Sequence, residues 1–138
     1  MSKEWFLWYV EQVGKVKDWA QYKDRYLCPC CYMPTLEERA AYDICPICFW
    51  EDDGQDNDDA DLIRGGPNHG YTLTEARANF KKYHTMYRPS DKVPFEREMS
   101  EIDIKKDIYN AFAKAIERNS EEDWKHAIEL QGEYDKDS

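Results

Sequence analysis

The sequence predicts an α+β fold, in which a small four-cysteine module with short strands is flanked by an N-terminal helix and by C-terminal helices. All five cysteines fall between Cys28 and Cys48, where the sequence is rich in Pro, Gly and Asp and shows no hydrophobic period. The segments on both sides repeat apolar residues at three- and four-residue steps. We predict an N-terminal extension (1–25), a cysteine module (26–88) and a C-terminal part (89–138) packed as one domain.

The N-terminal extension is predicted to be helical over residues 3–23, and its apolar run at 5–10 also suits a buried strand, so both alternatives stay open. That run is far too short to cross a bilayer, and Glu11 follows it instead of a cleavage site. We therefore expect no membrane anchor and no signal peptide, and a cytoplasmic location.

Helices are also predicted after the cysteines. Thr72 and Glu75 form a capping box for a helix over 73–87, which ends before Pro89. Residues 88–98, with two prolines, are predicted to be a linker or an extended strap. Ser100 is expected to cap a helix of about 18 residues.

The C-terminal segment is predicted to end in a short helix. Asn119 and Ser120 interrupt the apolar period, and Ser120 can cap this helix with Asp123 at its N3 position. The tail after Gly132 is expected to fray.

The cysteines form two C-x2-C pairs, Cys28/Cys31 and Cys45/Cys48, and each pair carries proline after its first cysteine. Four thiolates at this spacing suit a tetrahedral metal ion, with zinc as first choice and iron as the alternative. Four protein sulfurs leave no position for water or substrate, so such a site is structural. A disulfide staple is disfavoured because five cysteines cannot all pair in one chain.

Cys30 is the remaining cysteine, and the sequence leaves its role open. It is either a residue of the first turn that points away from the metal, or a reactive thiol. A thioredoxin-like redox site needs a βαβ context that is absent around both pairs, so we predict no enzymatic activity, with thiol redox chemistry at Cys30 as the alternative. His69, in a Gly-rich turn, is a further possible metal ligand.

Negative charge is concentrated near the second cysteine pair. The chain has a net charge of −10, and residues 28–70 alone carry −8. This balance disfavours nucleic acid and favours a cationic protein partner. The acidic stretch 51–61 is interpreted either as a solvated, mobile loop or as the docking surface for that partner. The candidate partner-binding residues are Asp52, Asp53, Asp56, Asp58, Asp59, Trp5, Trp8 and Trp50.

Several motifs resemble the CPCC family of small cysteine-rich bacterial proteins: "YLCPCC" at 26–31, "YDICPICFWEDDGQ" at 42–55, "GGPN" at 65–68 and "LTEARANFKKY" at 73–83. The resemblance implies a pair of rubredoxin-like or zinc-ribbon-like knuckles with Cys28, Cys31, Cys45 and Cys48 as ligands. It implies no defined activity, and some members look like immunity or antitoxin proteins. Zinc knuckles commonly place Gly after the second cysteine, whereas Tyr32 and Phe49 stand there, which predicts slightly different turns.

We therefore expect a non-catalytic, metal-stabilised protein that acts by binding another protein, most specifically an immunity-type protein that neutralises a cationic toxin. The alternative is a zinc-ribbon nucleic-acid-binding regulator, whose basic face would come from Arg77, Lys81, Lys82 and Arg88. The oligomeric state is not indicated by the sequence.

Overall fold

The computed structural model describes residues 19–137 and combines a small cysteine-rich layer with four helices. In chain order the elements are strands β1 (Gln21–Tyr22) and β2 (Arg25–Tyr26), a 3-10 turn (Gly66–Asn68), and helices α1 (Leu73–Tyr83), α2 (Lys92–Ser100), α3 (Ile102–Arg118) and α4 (Glu121–Asp137). The α+β class is confirmed. The segment between β2 and the 3-10 turn holds all five cysteines and contains turns and single β-bridges.

The N-terminal part of the described chain is a β-hairpin. β1 and β2 pair antiparallel, with Gln21 opposite Tyr26 and Tyr22 opposite Arg25. The helix prediction for 3–23 is therefore wrong at its C-terminal end, because Lys23 takes a positive φ of 55° in the turn between the strands. The rest of that prediction, residues 3–18, lies outside the described residues.

Helix α1 begins as the capping motif predicts. The Thr72 hydroxyl accepts a hydrogen bond from the backbone N–H of Glu75 at 2.9 Å. The helix ends at Tyr83, not at residue 87, because His84 adopts a left-handed conformation and closes the last turn on Phe80. The carboxylate of Glu75 does not complete the capping box, since it binds the guanidinium of Arg88 at 2.7 and 2.8 Å.

The predicted strap at 88–98 is a helix over most of its length, so that prediction is wrong. Pro94 is the third residue of α2, where the backbone N–H that proline lacks has no helical partner to bind. Ser100 does not cap α3, because its hydroxyl donates to the Arg97 carbonyl oxygen at 2.6 Å within α2. Glu101 separates the two helices.

Helices α3 and α4 form a helical hairpin. Asn119 ends α3 in a left-handed conformation, and the Ser120 hydroxyl accepts from the Asp123 N–H at 3.2 Å, as predicted. α4 continues to Asp137, so the prediction of a short helix with a frayed tail after Gly132 is wrong.

One buried cluster joins the cysteine module to the C-terminal helices; it contains the cysteines, Trp50, Leu73, Phe80, Met86, Ile108, Phe112 and Trp124. The cluster also encloses an ion pair between Lys105 of α3 and Glu98 of α2, both about 1% exposed. Among residues 19–137, no helix has the length and apolar character that a bilayer span requires.

Candidate metal centre

The two C-x2-C pairs fold into matching knuckles. In each knuckle the carbonyl of the first cysteine accepts from the residue four positions on, and its N–H donates to the carbonyl of the residue five positions on. The four bonds measure 2.8 Å for Tyr32 N to Cys28 O, 2.8 Å for Cys28 N to Met33 O, 3.0 Å for Phe49 N to Cys45 O, and 3.0 Å for Cys45 N to Trp50 O. The same local fold therefore presents both cysteine pairs.

Tyr32 and Phe49 occupy the positions at which zinc knuckles commonly carry glycine. Their φ angles are 65° and 72°, the left-handed conformation that glycine adopts without steric cost. Both residues adopt the backbone conformation that glycine would take. The prediction of slightly different turns is therefore wrong for the backbone at these positions. Phe49 gains packing in return, since its ring lies 5.8 Å from that of Tyr87 and 4.6 Å from the Arg97 guanidinium.

The four predicted ligands converge. The sulfurs of Cys28, Cys31, Cys45 and Cys48 all lie within 4.8 Å of one another. Two contacts that cross between the knuckles, Cys28 to Cys48 and Cys31 to Cys45, measure 3.6 Å. A tetrahedral ion with metal–sulfur distances of about 2.3 Å places its sulfurs about 3.8 Å apart, so the donor set fits such an ion.

The protein encloses all four candidate ligands. All four cysteines are at most 3% exposed. Burial raises the pKa of the Cys28, Cys31 and Cys48 thiols well above the ordinary value. Burial acts in the same direction on Cys45, but hydrogen bonds from the neighbouring thiols and from Thr35 outweigh it and lower the pKa of Cys45 well below its usual value.

Hydrogen bonds from groups other than thiols also reach the cluster. The Thr35 hydroxyl donates to the sulfur of Cys45 at 3.1 Å, and the Trp50 backbone N–H donates to the sulfur of Cys48 at 3.5 Å. Donors of this kind stabilise a thiolate and orient it toward the metal. Thr35 has no spacing motif that links it to the cysteines, so sequence reasoning did not identify it.

Each knuckle is tied to a segment that is distant in sequence: the first to helix α1 and the second to the turn that follows α1. Arg77 of α1 donates from Nε to the carbonyl of Pro29 at 2.7 Å. The Cys48 carbonyl accepts from the Met86 N–H at 2.9 Å and from the Thr85 hydroxyl at 3.3 Å. Helix α1 and the segment after it therefore buttress both cysteine turns.

A sequence model of the protein family described as Cysteine-rich CPCC matches residues 26–100. The chain belongs to this family. The match covers more than half of the chain and extends beyond residue 83, where the motifs named above end, to the end of α2. No curated protein and no solved structure matches the chain.

Cys30, the second cysteine of the CPCC sequence, is buried at 2% exposure and stands outside the four-sulfur group. Burial raises the pKa of its thiol, which disfavours the reactive thiolate. His69 is exposed and is not part of the group.

The acidic stretch 51–61 is organised around Arg39, which sequence reasoning missed. The Arg39 guanidinium donates to Asp52 at 2.9 Å, to Asp56 at 2.8 Å and to the Gln55 carbonyl at 3.0 Å. The ring of Trp19 covers it at 4.2 Å. The interpretation of this stretch as a solvated loop is therefore wrong for Asp52, Asp56 and Asp59, whose carboxylates bind arginines of the module, whereas Asp58 and Asp61 are exposed.

The structure separates the predicted partner-binding residues into three groups. Trp50 and Asp52 are 0% exposed, so neither meets a partner at the folded surface. Asp53, Asp56 and Asp59 are half-buried, and Asp58 is exposed. Trp5 and Trp8 lie outside the described residues. The prediction of these residues as a single docking surface thus fails for Trp50 and Asp52.

Of the four basic residues predicted to form a nucleic-acid-binding face, two bind groups within the protein. Arg77 donates to Pro29, and Arg88 is paired with Glu75. Lys81 and Lys82 are exposed. Two exposed lysines on one helix can contact fewer phosphates than the roughly six to ten that a typical DNA-binding protein contacts.

Proposed function

We propose that this protein is non-catalytic, that a zinc ion stabilises its cysteine module, and that it acts by binding and neutralising a cationic protein as immunity proteins do. The closed set of four sulfurs supports a non-catalytic role, because a metal ion held by four protein sulfurs keeps no coordination position for substrate. When bound, the metal neutralises thiolate charge and cross-links the two knuckles.

The single observation that carries the binding proposal is the charge of the module surface. Residues 28–70 contain two arginines and no lysine, and both arginines form ion pairs within the module: Arg39 with Asp52 and Asp56, and Arg64 with Asp59. Glu37, Glu38, Asp58 and Asp61 are exposed and form no ion pair within residues 19–137. This residual negative surface suits a partner of opposite charge and would accelerate its association.

Affinity capture from the native host, combined with identification of the neighbouring gene, tests the proposal. We expect a basic protein whose toxicity is suppressed by the chain and whose association rate falls at least ten-fold between low and physiological salt. A ribosomal or polymerase partner, or a salt-independent complex, would refute it. A gel shift at physiological salt tests the nucleic-acid alternative, for which we expect no complex.

A further inference from the structure

A buried ion pair joins helices α2 and α3 next to the second knuckle. Glu98 of α2 and Lys105 of α3 are each 1% exposed, and their charged groups are in contact. Burying two charges costs free energy that their mutual attraction only partly repays, and an apolar pair of similar shape is often equally good or better. Stability alone therefore does not explain why a charged pair stands at this position.

A hydrogen-bonded path leads from this pair to a candidate metal ligand. Thr85 is 0% exposed, and its hydroxyl lies 3.3 Å from the Cys48 carbonyl oxygen and 3.5 Å from Glu98 Oε1. A hydroxyl carries one proton, so Thr85 stands between two acceptors that compete for the same hydrogen bond. Thr85 therefore connects the backbone of the second knuckle to the carboxylate of Glu98.

The side chain of Phe49 makes a second connection. Phe49 directly follows Cys48, and its φ of 72° belongs to the turn of the knuckle. The centre of its ring lies 5.6 Å from Lys105 Nζ and 4.6 Å from the Arg97 guanidinium, within the range of cation–π contacts. Unfolding of the knuckle would withdraw this ring and open the ion pair to water.

A charged pair responds to water differently from an apolar pair. In water, Glu98 and Lys105 regain the solvation that burial removes, whereas two apolar side chains would oppose exposure. Separating α2 from α3 therefore costs less free energy with the charged pair than with an apolar one. The packing of α2 on α3 thus depends on the enclosure that the second knuckle supplies.

We propose that Phe49, Thr85, Glu98 and Lys105 form a latch that makes the packing of α2 on α3 depend on metal binding, an inference that rests on the metal-binding part of the proposed function. In the metal-loaded protein the folded knuckle encloses the ion pair and the helices stay packed. When metal is lost the knuckle loosens, water reaches the pair and α2 separates from α3. By linkage, a chain whose helices stay packed without metal binds metal more tightly.

Hydrogen–deuterium exchange of the full chain, followed by mass spectrometry before and after a chelator removes zinc, tests the latch. In the wild-type protein we expect exchange of the α2 amides to accelerate about a hundred-fold or more, because a short helix that has lost its packing is unstable in water. In the double variant Glu98→Met with Lys105→Met, an apolar pair of similar length replaces the charges, and the acceleration should be about ten-fold or less. Both residues are changed together because either single change leaves an unpaired buried charge.

Zinc affinity, measured by competition with a chromophoric chelator, is an independent readout. The double variant should bind zinc about ten-fold more tightly than the wild type, because its helices stay packed in the zinc-free state. Thr85→Val keeps the shape of the side chain but removes the hydroxyl, and it should bind zinc about five-fold more weakly. Substitutions that only stabilised the helices would leave the zinc affinity unchanged.

The matched control is Lys114→Met with Asp123→Met, which removes an ion pair between α3 and α4 whose lysine is 53% exposed. This control should follow the wild type in both measurements, and circular dichroism verifies that each variant is folded. Equal acceleration of α2 exchange in the wild type and the Glu98/Lys105 double variant would overturn the latch, and so would wild-type zinc affinity in Thr85→Val. A chain that binds no zinc would refute the metal part of the proposed function as well, whereas zinc binding with no effect on α2 exchange would refute the latch alone.

Discussion

Arg39 Nε donates to Asp52 Oδ2 across 2.9 Å, and both side chains are at most 2% exposed. The remaining oxygen of this carboxylate accepts from the Gly54 N–H at 3.1 Å, and Oδ2 also accepts from the Ala40 N–H at 2.7 Å. This satisfied charge pair holds the loop after the second knuckle against the segment that follows the first. Part of the acidity of the loop is thus used inside the module.

Replacing Arg39 by methionine should destabilise the metal-loaded protein by about 3–5 kcal/mol, because Asp52 would be left as an unpaired buried charge. Urea unfolding followed by circular dichroism measures the change. Arg64→Met is the matched control: its pair with Asp59 is at the surface, so we expect a loss of less than about 1 kcal/mol. Similar losses in the two variants would contradict the buried pair as an organiser of the loop.

Replacing a ligand cysteine should remove the metal and unfold the module. Binding at four-sulfur sites contributes on the order of 10 kcal/mol, which equals the whole stability of many domains. We expect Cys48→Ser to bind no metal and to lose its amide-proton dispersion by NMR. Cys30→Ser should keep one metal ion per chain, and the wild-type metal-loaded protein should resist labelling by a thiol reagent at Cys30. Labelling of Cys30 at the rate of a free thiol would favour the redox alternative.

Metal affinity should increase with pH through the neutral range. Burial raises the pKa of the Cys28, Cys31 and Cys48 thiols, so these groups carry protons at neutral pH and must release them when a metal binds. The association constant should therefore rise by more than about ten-fold per pH unit between pH 6 and 7. Competition with a chromophoric chelator measures it, and a smaller rise would mean that thiol deprotonation does not accompany binding.

The two left-handed aromatic positions should respond differently to glycine. Tyr32 is 52% exposed, so Tyr32→Gly removes little packing while relieving its backbone, and we expect a stability change of less than about 1 kcal/mol. Phe49→Gly also removes the contacts to Tyr87 and Arg97 and should cost at least about 2 kcal/mol. Thermal unfolding of the metal-loaded variants distinguishes them; a larger loss at Tyr32 would show that its ring is structurally needed.

Spacing and capping signals predicted the parts of this structure that local chemistry controls. The two C-x2-C pairs, the Thr72 and Ser120 caps and the break at Asn119 all depend on residues within a few positions of one another. The burial of Lys105 against Glu98, and the binding of Arg39 by the acidic loop, depend on tertiary contacts between separate segments. Hydrophobic periodicity cannot indicate a charged residue that is buried with its partner.

The errors around proline have a related cause. Pro89 and Pro94 suggested an extended strap, yet proline in the first turn of a helix removes a donor that has no partner there. The sequence does not indicate that α1 ends at Tyr83, because the left-handed residue that follows it is His84 and not a glycine. Nor does the sequence indicate that the Asn68 side chain bonds both the backbone N–H and the carbonyl of Glu51, because the two residues are 17 positions apart.

The hydrogen bonds from residues 85 and 86 to the carbonyl of Cys48 also bear on the order of events during synthesis. Cys48, the last of the four candidate ligands, leaves the ribosome 37 residues before Thr85, so a nascent chain holds the complete cysteine set before the segment that buttresses the second knuckle is made. The metal-loaded knuckles then offer a preformed surface on which the later helices assemble. We expect metal starvation during translation to be more damaging to this protein than removal of metal after folding.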